Sequence, residues 1–321
     1  MPAVTASAPG KVILFGEHAV VYGQPAIAAP VTGVKVKVIV QADPFQPSGN
    51  IRIESPAINF HATRTELPEQ HPLNTLFQLL EQALQISRLP AMKISINSTL
   101  PAGAGMGSSA AVSIAMIRAI SQFVGLPLEN EQVNKIAYEV EKAFHGTPSG
   151  IDNTVITYQM PIYYVQNQQP ELIHLKDSIT LVIANSGEAP STAAMVAGVR
   201  QRWQQQPQYY EQIFHRIGRI VQSARKILEE GNWLDLAPLM EENHQLLQFM
   251  GVSSPALDTL VKASLQSGAY GAKLTGGGGG GNIIALVPPE QAGQIAQRLL
   301  NEGALHTWLT TLRPLKEDDQ S

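Results

Sequence analysis

Residues 101–111 read PAGAGMGSSAA, and the fold turns on how this stretch is understood. Gly103, Gly105 and Gly107 stand at every second position, so three of the backbone units carry no Cβ. Positive φ is then cheap, and successive N–H groups can converge on an anion. Ser108 and Ser109 follow, and an apolar-rich run to Val124 predicts a buried helix. A Gly-rich loop that feeds a helix N-terminus cradles phosphate, because free N–H groups and the helix dipole both favour negative charge there. The loop does not end in Gly-Lys-Ser/Thr, so it is not a Walker A loop. Ser108 stands where a dinucleotide fingerprint needs its third glycine. On these residues alone, a flexible turn before a core helix remains open.

The chain around this loop has 321 residues, long enough for two domains with a sizeable core in each. Its 44% hydrophobic and 15% charged residues are those of an ordinary soluble protein. The net charge of −4 argues against a general nucleic-acid binder, so any anion must be held locally by amides and a few placed cations. With no cysteine there is no disulfide, no thiol nucleophile and no thiolate metal site. The opening MPAVTASAPGKVILFGEH lacks a basic segment followed by a long apolar run, so no signal peptide is expected. Nor does any run reach the roughly 18 apolar residues of a membrane span. A cytoplasmic protein is expected.

Upstream of the loop, VILF at residues 12–15 predicts a buried strand broken from its start by Pro9-Gly10, with Lys11 anomalous beside it. A lysine in such a run is usually a snorkelling edge residue, but Gly16-Glu17-His18 follow closely. VKVKVIV from Val34 alternates as a second strand, residues 41–72 predict short strands and loops, and Leu73, Leu76, Phe77, Leu80 and Leu84 keep helical spacing. MKISIN, Met92 to Asn97, alternates again and leads into the Gly loop, giving the order strand, Gly loop, helix that phosphate binding requires.

Downstream, a helix is predicted from Glu129 to His145. At about 100° per residue, Val133, Ile136, Ala137, Val140 and Phe144 share a stripe, while Lys135, Glu139 and Lys142 lie opposite. Glu141 falls at the stripe's margin, either a boundary carboxylate that reaches solvent or one aimed into a site. HGTPSGIDN, residues 145–153, is a stiff loop that delivers Asp152, although a turn or N-cap role is the common use of such an aspartate. Residues 154–175 are expected to be paired strands, and TLVIAN, residues 180–185, opens a second half after a division near residue 178. Ser191-Thr192 are placed to cap a helix reaching Arg202. Two further helices are predicted, one on the apolar spacing from Ile213 to Leu228 and one from Trp233 to Met250. KLTGGGGGGN, residues 273–282, puts six glycines before the strand IIALV. A linker would not lead into a strand that must pack, so close backbone approach to a ligand or to the first loop explains it better. The tail KEDDQS is polar and expected to fray.

Four stretches in order, APGKVILFGEH at 8–18, PAGAGMGSSAA, EKAFHGTPSGIDN at 141–153 and KLTGGGGGGN, resemble the GHMP small-molecule kinases over essentially the whole chain. Within that family the resemblance is to the branch that phosphorylates mevalonate. It implies a two-domain α+β fold, residues 1–178 and 179–321, with ATP and substrate in the cleft between the halves. It also implies Asp152 as catalytic base and Lys11 near the reacting hydroxyl. Ser108 and Glu141 would be Mg²⁺ ligands, and Gly103, Ala104, Gly105, Met106, Gly107, Ser108 and Ser109 the ATP phosphate loop. Glu17, His18 and Thr192 would lie around the substrate. The expected partners are mevalonate and ATP, with a homodimer allowed and neither nucleic acid nor membrane involved.

The residues suit that chemistry. Phosphoryl transfer needs alignment and neutralised charge more than covalent help. A hydroxyl and a carboxylate are the hard oxygen ligands Mg²⁺ prefers. Lys11 beside Asp152 would keep the aspartate ionised. Met106 in place of a leucine and Gly277 in place of an alanine are harmless departures. Pro190 and Ala193 matter more, because relatives often carry arginines there, and the mevalonate carboxylate then needs another cation. His18 in its charged form, helped by loop amides and the helix N-terminus at Ser191-Thr192, is expected to serve, with Arg200 as its rival. The alternatives to mevalonate are phosphomevalonate, homoserine or a sugar as substrate, the related decarboxylase reaction, and a silent ATP or isoprenoid sensor.

Overall fold

The computed structural model describes residues 3–101, 105–146, 148–188 and 191–314. Gly103, Ala104, Pro190 and the KEDDQS tail lie outside these described residues. The chain forms two compact units, one from the described residues within 1–10, 34–102 and 106–159, the other from those within 11–33, 103–105 and 160–321. The expected division near residue 178 is not where these units part. Residues 160–178 gather with the second unit, and so do residues 11–33 from the start of the chain.

Two long strands belong to both units. The first, β1 (Ala3–Phe15), runs straight through Pro9-Gly10, where a break was expected. It pairs with β2 (Ala26–Ala42). From Val34 to Val40 β2 keeps its valines buried and Lys35 and Lys37 exposed, the alternation expected of a sheet with one wet face.

In the first unit, β3 (Ile51–Ser55) pairs antiparallel with β4 (Phe60–Thr63). Helix α1 (Pro72–Ala83) follows, with Pro72 at its first position and the His71 side chain accepting from Leu73 N–H. Strand β5 (Met92–Ser98) lies between β3, to which it is parallel, and residues 36–42 of β2, to which it is antiparallel. Helices α2 (Ser108–Val124), α3 (Asn130–His145) and α4 (Ile151–Tyr158) complete the unit. Leu76, Phe77 and Leu80 of α1 and Ile114 and Ile117 of α2 are fully buried, and each such side chain contributes about 1.5–3 kcal/mol through burial.

Helix α4 corrects the expectation of strands from residue 154. Its β-branched sequence favours a strand locally, but Asn153 to Thr157 are all buried. With every face covered there is no amphipathic period to read, and packing overrides propensity. Side-chain hydrogen bonds tie α4 to α3: Asn153 Nδ2 donates to Asn134 Oδ1 at 2.6 Å, and Asn134 Nδ2 to Thr154 Oγ1 at 3.4 Å.

In the second unit, residues 26–28 of β2 pair with β6 (Ile162–Tyr164), which pairs with β7 (Glu171–Leu172). Strand β8 (Ile179–Asn185) is buried at every residue. Four helices follow: α5 (Thr192–Gln205), α6 (Pro207–Glu230), α7 (Leu236–Phe249) and α8 (Pro255–Gln266). Strands β9 (Gly271–Thr275) and β10 (Asn282–Leu286) flank the glycine run, and α9 (Ala292–Asn301) leads to β11 (His306–Leu312). These strands make an antiparallel sheet of order β11-β8-β10-β9. Among the described residues no helix is long and apolar enough to cross a membrane.

Candidate active site

The described part of the first Gly loop delivers α2 with its N-terminus uncapped by any side chain. Gly107 is the N-cap at φ 71° and ψ 36°, a left-handed conformation that only glycine adopts without cost, and it offers no side-chain acceptor to the first turn. The N–H groups and dipole of a 17-residue helix therefore face whatever anion sits there. Met106 is buried, and Ser108 and Ser109 are half-buried at the first two helical positions.

Glu141 meets this helix end. It is only 3% exposed on α3, so the carboxylate that angular reasoning put at the stripe margin is enclosed rather than solvated. Ser109 Oγ donates to Glu141 Oε2 at 3.2 Å and lies 3.2 Å from His145 Nε2. His145 Nε2 is itself 3.7 Å from Glu141 Oε2. The sequence reading included Ser109 and Glu141 but gave His145 no role; its i, i+4 spacing from Glu141 was the available signal. Phe144, expected inside the apolar stripe, is 40% exposed and lies against the His145 ring instead, because α3 is ending there.

Asp152 occupies the second position of α4, where the helix dipole favours a carboxylate. The N-cap is Gly150, at φ 87°, so Asp152 is neither the cap nor a loop residue. Ser149 Oγ accepts from Ile151 N–H at 3.3 Å and steadies the entry to the helix.

The remaining expected residues lie in the second unit. Lys11 is buried in β1, at 9% exposure, rather than snorkelling at an edge. Thr192 is exposed at the start of α5, and Ser191 caps that helix by accepting from Ala194 N–H. Ala193 and Arg200 are exposed on the same helix.

Glu17 and His18 part company in the structure. Glu17, expected around the substrate, has a fully enclosed side chain. Oε1 takes a short hydrogen bond from Lys273 Nζ, and Oε2 lies 3.5 Å from Asn243 Nδ2. Lys273, fully buried on β9, also donates to Leu274 O at 2.7 Å. Burial pushes the Glu17 carboxyl up and the Lys273 ammonium down, and each partner's charge opposes the shift. Sequence reasoning missed Lys273 and Asn243; a lysine inside the apolar run GAKLT was the one visible sign.

His18 sits at φ 60° and ψ −47°, a strained conformation for a side chain with a Cβ. Its Nε2 is 2.9 Å from Gly277 O in the second Gly loop. A carbonyl only accepts, so Nε2 carries the proton. Nδ1 is buried and has no hydrogen-bond partner among the described residues. Burial, joined by the Arg202 charge and opposed by the Gly277 carbonyl, lowers the histidine's pKa. The expected cationic His18 is thus corrected: this environment favours the neutral ring, with Nδ1 as an acceptor. The expected close backbone approach of the glycine run is made here to Val252. Gly279 N–H donates to Val252 O at 2.7 Å, and a Cβ on Gly278 would stand 2.0 Å from that oxygen.

Among the described residues no group of three or more His, Cys, Asp or Glu side chains could cage a metal. One enclosed carboxylate beside serine hydroxyls at a helix N-terminus fits Mg²⁺ only if phosphate oxygens and water complete its shell.

Two models of one family match the chain, GHMP kinases N terminal domain over residues 73–159 and GHMP kinases C terminal over residues 201–305. The chain belongs to the GHMP kinases. Mevalonate kinase of Pyrococcus horikoshii is 39% identical over 306 residues, 90% of each chain. Two solved structures align over nearly the full length. The L. major mevalonate kinase in complex with R-mevalonate has a TM-score of 0.83 and 31% identity, covering 97% of this chain and 96% of that one. The Methanococcus jannaschii mevalonate kinase has a TM-score of 0.82 and 29% identity, covering 98% and 99%.

Proposed function

We propose that this protein is an ATP-dependent kinase that phosphorylates the C5 hydroxyl of mevalonate, giving 5-phosphomevalonate for isoprenoid precursor synthesis. The observation that carries the reading is the end-to-end match to mevalonate kinases in both sequence and fold. The loop that ends at Gly107 and the uncapped N-terminus of α2 receive the ATP phosphates through backbone N–H groups. Asp152 accepts the C5 hydroxyl proton, and Lys11 supplies positive charge to the reacting group. Ser108 and Glu141 would hold Mg²⁺, which would supply charge neutralisation when bound. Thr192 and His18 contact mevalonate, with neutral His18 accepting a hydrogen bond at Nδ1. Glu17 acts indirectly, anchoring the turn that presents His18. The net charge of −4 suits small-molecule partners rather than nucleic acid, and we place the reaction in the cytoplasm, in a monomer or a homodimer.

A coupled ADP-release assay with Mg-ATP tests the reading, run against mevalonate, phosphomevalonate, diphosphomevalonate, homoserine and galactose. Turnover with mevalonate far above that with the others is expected. Preference for another member of the panel would replace the substrate, and no turnover with any would sink the kinase reading.

A further inference from the structure

The second unit holds a cavity of about 450 Å³ between Tyr22, Trp203, Phe214 and His215, but nothing in it selects a ligand class. Arg202, the residue before Trp203 on α5, goes further.

Its guanidinium lies between two glycines. A Cβ on Gly198, one turn back along α5, would stand 3.3 Å from Nη1, and a Cβ on Gly251 would stand 3.4 Å from Cζ. A side chain at either place would crowd the guanidinium. Nη2 donates to Met250 O at 2.9 Å and reaches Gly251 O at 3.4 Å. These carbonyls lie just past the end of α7, where a cation suits the helix dipole. That accounts for one arm of the fork. Nε is buried and has no hydrogen-bond partner among the described residues. A half-buried cation with an unused donor is costly unless an anion meets it.

The backbone carries this cation to the loop that holds His18. Gly251 leads into Val252, whose carbonyl accepts from Gly279 N–H, and Gly277 of the same loop accepts from His18 Nε2. The Arg202 charge reaches His18 and opposes its protonation. An unused acceptor, His18 Nδ1, and an unused donor on a cation, Arg202 Nε, thus belong to one region of the second unit. Mevalonate offers the matching pair. Its tertiary hydroxyl can donate to Nδ1 while its carboxylate, one methylene away, accepts from a guanidinium. The neutral His18 supplies no charge for that carboxylate, and Arg200 is exposed on nearly the opposite side of α5.

We propose that Arg202 receives the mevalonate carboxylate and so sets the enzyme's preference for a hydroxy acid over its neutral analogues. This rests on the reading of mevalonate as the substrate. In the competing account Arg202 only ties α5 to the end of α7. A tie of that kind affects every substrate alike, whereas a carboxylate contact affects the charged one.

The test compares kcat/KM for mevalonate and for mevalonamide, which keeps both hydroxyls and replaces the carboxylate with a neutral amide, in the coupled ADP-release assay. The unaltered enzyme should prefer mevalonate by about 10- to 100-fold. Arg202→Gln should lose most of that preference by losing mevalonate, with the loss for mevalonamide within about threefold and the KM for ATP little changed. Arg202→Lys keeps the charge without the planar fork and should recover part of the preference. Arg200→Gln should retain all of it. Equal losses for both substrates in Arg202→Gln overturn the proposal in favour of the tie. Collapse of the preference in Arg200→Gln overturns it in favour of the rival arginine. An unaltered enzyme that phosphorylates both substrates equally also overturns it, with no variant needed, and leaves the kinase reading standing. If mevalonate is not phosphorylated at all, the substrate reading falls and the proposal with it.

Discussion

Asp152 and His18 show how differently two polar residues can be prepared for chemistry. Asp152 stands half-buried in the first turn of α4, where the dipole supports its charge. Asp152→Asn keeps the shape and removes the base, so kcat should fall about 10²- to 10⁴-fold while ATP affinity and melting temperature stay near those of the parent. Single-turnover kinetics with mevalonate check this, and near-normal turnover would return Asp152 to a helix-start role. The aspartate was readable from its motif, whereas the state of His18 was not, because burial and the Gly277 carbonyl belong to the tertiary structure. His18→Ala should raise the KM for mevalonate more than that for ATP, and the difference should persist above pH 7, where a cationic role would fade. His18 and His244 both have pKa values lowered chiefly by burial, so each binds a proton less readily folded than unfolded. Unfolding therefore takes up protons as pH drops below about 6.5, and the stability present above that value is lost. Melting temperature measured from pH 8 to pH 5 should decline accordingly; a flat profile would contradict the neutral assignment.

Among the elements, those with one wet face could be read from sequence. Helices α1, α3 and α6 and the second half of β2 carry clear periods because water lies on one side of them. Helix α4 could not be read, since burial on all sides erases the period, and neither could the Glu17–Lys273 pair, whose members lie 256 residues apart. That pair joins the Gly16–His18 turn to β9, the strand that enters the second Gly loop. Lys273→Met should leave an enclosed carboxylate without its cation, at a cost of about 3–5 kcal/mol. Glu17→Gln/Lys273→Met should recover part of that loss, because a neutral amide in the same place costs less to bury. Urea unfolding of the single and double variants measures it, and additive losses would mean the two residues do not act as a pair. Gly278→Ala tests the loop itself. With φ at 72° and a Cβ placed 2.0 Å from Val252 O, the loop must move. We expect more than about 1 kcal/mol of lost stability and a raised KM for mevalonate as the Gly277 carbonyl leaves His18.

At the scale of the whole molecule, sequence motifs identified two halves, but linear order hid which residues pack together. The second compact unit takes residues 11–33 from the start of the chain, and also residues 160–178. A fragment of residues 179–321 lacks both segments and leaves Lys273 without Glu17. It should show little cooperative unfolding by circular dichroism, whereas a mixture with residues 1–178 should regain it. A cooperative transition in the isolated fragment would show that the borrowed strand is dispensable. The same borrowing has a consequence during synthesis. Glu17 leaves the ribosome among the first residues, and its partner follows 256 positions later. At about 5–20 residues per second that is an interval on the order of 10 to 50 s. Throughout it, the apolar run Val12–Phe15 has no finished unit to enter and is open to chaperones. Translation speed between these two positions should therefore govern how much of this protein reaches its native state.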